Sequence, residues 1–377
     1  MLSNNFYNIL ILAGIIFAAL VIIGIIIARL YRRSSKEISF VRTGFGGEKV
    51  IVNGGAIVLP VLHEIIPVNM NTLRLEVRRA NEQALITRDR MRVDVQAEFY
   101  VRVQPTAESI ANAAQTLMRG FTSVRDVGGP IFEVKKMIDA GRIPGPRIWP
   151  SGPTVSQTSG HGDYRLPHEG PRRWTGKASQ AELLGAGYIA DGRDEVLAAT
   201  REALRGGASQ IKMMAGGGTS SAYDPLDVTQ YTLDEMKAAV DAASDWNTYV
   251  TVHAYHPKSV RRAIEAGVKV IEHGNLLDED TLKLMAEKGI WLSGQMLVDS
   301  TEAMDPKRRE KRKPVIEGQK IVWPMAKRLG VKLAWGTDFL FEPDLNAQQN
   351  AYILRLKPYF TAAELLRLVT SGNAELL

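Results

Sequence analysis

The segment "TYVTVHAYHPKSVRRAIEAGVKVIEHGN", residues 248–275, decides the fold class. Its ends, "TYVTVHAY" and "VKVIEHGN", are short runs rich in valine that read as strands, and the stretch between them reads as a helix. Working outward, the same alternation continues through "FTSVRDV", "PRIWPSG", "SQIKMMAG", "IWLSGQML" and "VKLAWGTDF". Strands separated by helices indicate a parallel α/β architecture, here a TIM barrel of (β/α)8 type. Seven strands are legible where a closed barrel needs about eight. Helix starts are marked at Thr232 to Glu235 and Thr361 to Glu364, both of the Ser/Thr-x-x-Glu form in which the two side chains satisfy free backbone N–H groups.

The polar residues of these strands stand at their carboxyl ends. Lys212, His253, His273 and Asp338 each close a different strand, and in a barrel such positions converge on one face. A single histidine on a strand is commonly a core residue; four polar residues at matching ends point instead to a shared site. Imidazoles and carboxylates suit zinc and similar divalent ions, which generate hydroxide from water near neutral pH. The glycines of "AGGGTSS" could cradle an anion, but no lysine follows them. His168 and His256 read as surface or loop residues, and His63 as a strand residue.

The chain has 377 residues, 45% apolar and 23% charged, enough for about two domains. It lacks cysteine, which excludes disulfides, thiolate ligands and a cysteine nucleophile. The net charge of +6 is partly local, with Arg29, Arg32, Arg33 and Lys36 beside an apolar run, so it does not mark the chain as a nucleic-acid binder. That run, Ile9 to Ala28, is uncharged, and its length as a helix matches a bilayer's hydrocarbon core. Basic residues follow it rather than precede it. The expectation is a single-pass anchor at 9–28 in an inner or plasma membrane, with residues 1–8 outside and the bulk of the chain in the cytoplasm. Residues 36–104 read as a β-rich module of short Val-, Ile- and Phe-containing runs. In it, "GFGGEK" is a hairpin turn, since Val50 stands where a phosphate loop needs Ser or Thr. The basic run "PKRREKRKP", 306–314, reads as a solvated helix or loop.

Two resemblances follow. The anchor, "GGEKVIVNGGAIVLPVLHEIIPV", "LITRDRMRVDVQAEFYVRV" and "IANAAQTL" resemble the start of a flotillin-like SPFH (band 7) membrane protein over about residues 1–117. That family scaffolds membranes as oligomers, which implies a homo-oligomer on a lipid bilayer. Residues 112–377 resemble the amidohydrolase superfamily, in its imidazolonepropionase-like and Xaa-Pro dipeptidase-like branch. The motifs are "GFTSVRDVGG", "GPRIWPSGPTVSQTSGHGD", "IKMMAGGG", "TVHAY", "IEHGN", "WGTD" and "TSGNAELL". This resemblance implies a metal-dependent hydrolase of C–N bonds in amides, dipeptides or cyclic amides. It makes Lys212, when carboxylated, a bridge between two metals, with His253 and His273 holding one and Asp338 holding the other while shuttling a proton. His161, Asp163 and Tyr231 would contact substrate.

Two departures from that family qualify the expectation. Its first strand ends in a His-x-His pair that supplies two metal ligands, and no His-x-His occurs in these 377 residues. Its final helix and β-sandwich strands also have no counterpart after "TSGNAELL". The chain therefore reads as a join at about 105–118 between an SPFH-like start and a barrel at 119–377 lacking its first strand. The barrel stays incomplete, or is patched by "VQAEFYVRV". One divalent ion, with zinc expected, is then more fitting than two, and turnover should be weak. The alternative is a non-catalytic membrane scaffold carrying an inactive barrel.

Overall fold

The computed structural model describes residues 14, 16–17, 20–22, 29–33, 38–44, 49–51, 55–69, 73–79, 85–86, 92–93, 95–101, 107–221, 223–297, 306–339 and 343–377. Two compact units emerge, Met1–Met118 with Lys136–Gly145, and Arg119–Lys135 with Pro146–Leu377.

The first unit is an antiparallel β module. Strand β1 (Tyr31–Arg33) pairs with β4 (Gly55–Ile57), and β2 (Ile38–Gly44) lies between β3 (Lys49–Ile51) and β5 (His63–Asn69). In "GFGGEK", expected as a hairpin turn, residues 45–48 lie outside the described residues; the strands on either side, β2 and β3, pair antiparallel. Gly44 is required there: a Cβ would lie 2.0 Å from the Leu62 carbonyl oxygen. His63 is a local cap whose Nδ1 accepts from the Leu59 N–H at 3.1 Å. Ile51, Ala56 and Val58 form the small core.

Further pairs join β6 (Leu73–Arg79) to β9 (Val95–Val101), and β7 (Leu85–Ile86) to β8 (Arg92–Val93). Strand β9 was the candidate patch for a missing barrel strand. Its described ladder is antiparallel and runs to β6, whereas every ladder of the second unit is parallel. A helix at Ala107–Met118 follows, within the junction region. Residues 1–8 and most of the expected anchor, Ile9 to Ala28, lie outside the described residues. Among the described residues no helix is long and apolar enough to cross a membrane.

The second unit carries all seven expected strands: β10 (Ser123–Asp126), β11 (Arg147–Pro150), β14 (Ile211–Met214), β15 (Val250–Ala254), β16 (Val270–His273), β17 (Trp291–Gly294) and β18 (Lys332–Trp335). Two more, β12 (Thr154–Ser156) and β13 (Gly187–Ile189), went unread because three residues are too few to carry a period. The strands form a parallel pair, β10-β11, and a parallel sheet in the order β13-β12-β14-β15-β16-β17-β18. The core is thus barrel-like, built as two hydrogen-bonded sets rather than one closed ladder.

Strand alternation sorts its side chains. Met213, Val252, Ile271 and Leu292 face outward and pack on Met236, Val260, Leu282 and Met285 of the surrounding helices. Each such fully buried side chain contributes roughly 1.5–3 kcal/mol. Both expected capping boxes form, at Thr232/Glu235 and Thr361/Glu364. The edge of β18 is covered by a side chain: Asn373 accepts from the Trp335 N–H and donates to the Trp335 carbonyl, both at 2.8 Å. An amide group thereby occupies the place of a neighbouring strand.

The basic run is mostly exposed, as expected, with Pro306, Lys307, Glu310, Lys313 and Pro314 open to solvent, but two of its residues turn inward. It opens a helix, Pro306–Arg328, in which Arg312 is only 7% exposed. Lys311 donates to the backbone carbonyls of Ser221 and Asp224 at 2.7 and 2.6 Å.

Candidate active site

A polar cluster is buried along β14, β15 and β16: His253 and His273 lie toward the carboxyl ends, whereas Lys212, expected to close its strand, is the second residue of β14 and level with Thr251. Lys212 and His253 are each 4% exposed and His273 8%. Thr251 and His253 share the inward face of β15, and register sets His253 beside Glu272 on β16. Strict alternation would send the next residue, His273, to the opposite face, where its partner Ala254 packs among apolar neighbours. Instead His273 has φ of +76°, and its ring meets that of His253 edge-on with centroids 4.5 Å apart. Left-handed backbone at a non-glycine residue is costly, and such costs concentrate at functional sites. Asp338 has the same feature, with φ of +54°, and its Oδ2 lies 3.9 Å from His273 Nδ1.

Burial is the main force on these groups. It holds His253 well below the ordinary imidazole range, reinforced by His161, His273 and Lys212. It brings His273 down to about 3, again with Lys212 adding to the effect. Both rings are therefore neutral at physiological pH. A carbonyl can only accept, so the 3.0 Å contact from His253 Nε2 to Gly217 O puts the His253 proton on Nε2 and leaves a lone pair on Nδ1. Burial lowers Lys212 too, opposed by the charges of Glu272 and Asp338.

Beneath the cluster lies a buried ion pair. Arg125 of β10 donates to Glu272 Oε1 at 2.7 Å and to Ser293 Oγ at 3.0 Å. Burial opposes the charge on Glu272, but Arg125 and Lys212, with hydrogen bonds from Ser293 and Thr251, bring its carboxyl down to about 2. Removing one member of such a pair typically costs about 3–5 kcal/mol, because the other charge is left buried alone.

His161 joins the cluster from the loop after β12. Its ring stacks on His253 with centroids 4.2 Å apart. The glycines of "AGGG" make this possible: a Cβ on Gly218 would lie 2.1 Å from His161 Cε1, and one on Gly217 would lie 1.7 Å from the Pro225 carbonyl. They serve close packing of the loop.

The remaining expected contacts are placed differently. Asp163 is paired with Arg165, which donates to its Oδ1 at 2.7 Å. Tyr231 is 2% exposed and donates its hydroxyl to the Ala190 carbonyl at 2.9 Å, within the apolar core. His168 is exposed, and His256 starts the helix Pro257–Ala266.

Several site residues escaped the sequence reading. Tyr255 packs against both His253 and His273, with centroids 5.0 and 5.2 Å away. The Gln295 amide donates to His273 Nδ1. Arg125 and Glu272 carried the one usable signal, opposite charges within otherwise apolar strands.

Neutral imidazoles, a carboxylate and a depressed lysine fit a divalent cation in kind. They are not gathered around one point: among the described residues no three His, Asp or Glu groups are placed to hold a metal ion.

Comparison with known proteins agrees with this architecture. The Amidohydrolase family model matches residues 104–377, and the SPFH domain / Band 7 family model matches residues 35–127. The chain belongs to the amidohydrolase family and carries an SPFH domain ahead of that region. Among relatives, the flotillin family inner membrane protein YqiK of Escherichia coli is 58% identical over 123 residues, 33% of this chain and 22% of that protein. The ochratoxinase of Aspergillus niger is 34% identical over 246 residues, 59% of this chain and 49% of that enzyme. A solved prolidase complexed with N-methylphosphonate-L-proline superposes with a TM-score of 0.66 at 35% identity, covering 71% of this chain and 66% of its own. The chain thus spans about half the length of the ochratoxinase and less than a quarter of the flotillin-family protein.

Proposed function

We propose that this chain is a membrane-anchored hydrolase of C–N bonds in acyl-proline dipeptides or related amides, with weak turnover. The observation that carries the reading is the buried cluster on three adjacent parallel strands, with His253 and His273 toward the carboxyl ends and Lys212 deeper, level with Thr251. Likeness to a prolidase and an ochratoxinase supports the choice of bond.

In this reading Lys212, His253 and His273 would hold one divalent ion, with zinc expected, once drawn closer together than they stand here, and Asp338 would stand beside them. When bound, such an ion activates water and polarises a carbonyl. Neutral His253 has its Nδ1 lone pair free of the Gly217 contact, His273 would have to exchange its Gln295 contact for the ion, and Glu272 with Arg125 fixes the charge around Lys212. Asp338, half-exposed and 3.9 Å from His273 Nδ1, would pass a proton to a leaving nitrogen. His161 borders the space a substrate would enter, and Asp163 supports its loop through Arg165. With no His-x-His pair in the chain, ion affinity and rate should be low. Likeness to a flotillin family inner membrane protein, together with the run Ile9 to Ala28, supports anchoring and self-assembly through the SPFH domain.

Metal analysis of the purified chain tests the site. About one ion per chain is expected, lost in both Lys212→Ala and His273→Ala, together with slow cleavage of acyl-proline dipeptides. Metal-free protein that cleaves none of them would leave the alternative, a scaffold with an inactive barrel.

A further inference from the structure

We propose that Ser220, His161 and Asp224 form a second hydrolytic device, a metal-independent charge relay that cleaves carboxylic esters through an acyl-serine. The three lie in sequence order His, Ser, Asp on two loops, and their contacts have the polarity such a relay requires. Asp224, 4% exposed, can only accept when ionised, so its Oδ2 at 3.1 Å from His161 Nδ1 fixes the ring proton on Nδ1. His161 Nε2 is then left as an acceptor, and Ser220 Oγ lies 3.0 Å from it. This is the arrangement in which an imidazole takes a hydroxyl proton while a buried carboxylate steadies the resulting charge.

The positioning is built in. Asp224 Oδ2 accepts from the Gly218 N–H at 2.9 Å, and its Oδ1 lies 3.5 Å from Lys311 Nζ. The His161 backbone N–H donates to Gln230 Oε1 at 2.9 Å, and the ring is clamped between the Gly218 backbone and His253. Ser221 Oγ lies 3.2 Å from Nδ1, on the Asp224 side of the ring, which leaves Ser220 as the nucleophile. Ser220 is only partly buried, so an acyl group can reach it.

The chemistry balances without a co-reactant other than water. Ser220 Oγ bonds to the ester carbonyl carbon as its proton passes to His161 Nε2. The bond from that carbon to the alcohol oxygen breaks, and the alcohol leaves with the Nε2 proton. Water repeats the sequence on the acyl-serine, giving the acid and free Ser220. Asp224 is a positioning residue throughout.

The test is independent of the amide-hydrolase reading because it is run on the full chain in the presence of a chelator. A fluorophosphonate probe should modify one serine, mapped to Ser220 by peptide mass spectrometry. Labelling should vanish in Ser220→Ala and slow by about 10³-fold or more in Asp224→Asn, where the ring proton is free to move to Nε2. Nitrogen NMR of the His161 ring should report the Nδ1–H form in the parent and its loss in Asp224→Asn, a change that mere loosening of the loop would not produce. No labelling, or labelling at Ser221 or any other serine, overturns the proposal. The wild-type mapping decides even where Ser220→Ala does not fold.

Discussion

His273 and Asp338 hold φ of +76° and +54°, a geometry that costs on the order of 1 kcal/mol or more at each residue. Both stand at strand ends over the same polar cluster, so local stability is given up where side chains must turn toward a common space. Lys212, His253 and His273 were legible because each puts a polar group into an apolar run, although Lys212 stands second in β14 and not at its end. Ser220 and Asp224 were not, since a loop residue has no period and its partner, His161, lies about sixty positions away in the chain. Asp126, at the end of β10, supplies the pH prediction. Burial raises its carboxyl to about 7, with the Gly128 N–H as a weak counter-influence. Between about pH 4 and 7 the folded chain therefore keeps a proton that the unfolded chain releases. Its contribution falls as pH rises through that window. Asp126→Asn should match the parent in stability near pH 4 and exceed it by on the order of 1–2 kcal/mol at pH 8. Melting curves at the two pH values check this; an equal difference at both would sink it.

Among the described elements of the second unit, the seven strands of four or five residues were readable and the two of three residues were not. Two of three capping boxes were read, because they are local and depend only on residues three apart; the third, at Ser179/Glu182, opens a helix of four residues that carries no period of its own. The fate of β18's edge was hidden. Asn373 covers it from about forty residues downstream, inside a motif that by itself says only that a helix follows. Asn373→Ala removes both bonds and leaves the Trp335 N–H and carbonyl without that partner, which should cost roughly 1–3 kcal/mol. Chemical denaturation would measure the loss. A change below a few tenths would mean that water replaces the amide without penalty. The burial of Lys311 and Arg312 in a run of like charges makes the same point. Composition describes a helix's average face, while packing selects which residues turn inward.

At the scale of the whole molecule, the chain joins two families whose matches overlap over residues 104–127. The helix Ala107–Met118 and strand β10 occupy that overlap. The SPFH half brings likeness to an inner membrane protein, and the amidohydrolase half brings the parallel sheet. If the run Ile9 to Ala28 anchors the protein, the full chain should sediment with membranes, resist extraction by carbonate at high pH, and be released by detergent. Removal of residues 1–28 should then move it to the soluble fraction. Release of the full chain by salt alone would indicate surface attachment instead.

The amino-acid sequence by itself determined the alternation of strand and helix and the positions of His253, His273 and Asp338 near the ends of their strands; Lys212 it placed on the right strand but too near its end. These depend on period and local chemistry, which a linear string carries. Only the tertiary structure decided that β9 pairs with β6, that His273 turns back toward His253, and that His161 lies between His253 and the loop bearing Ser220 and Asp224. Those outcomes depend on which distant groups exclude water together. That is a property of packing, and no window of sequence contains both partners.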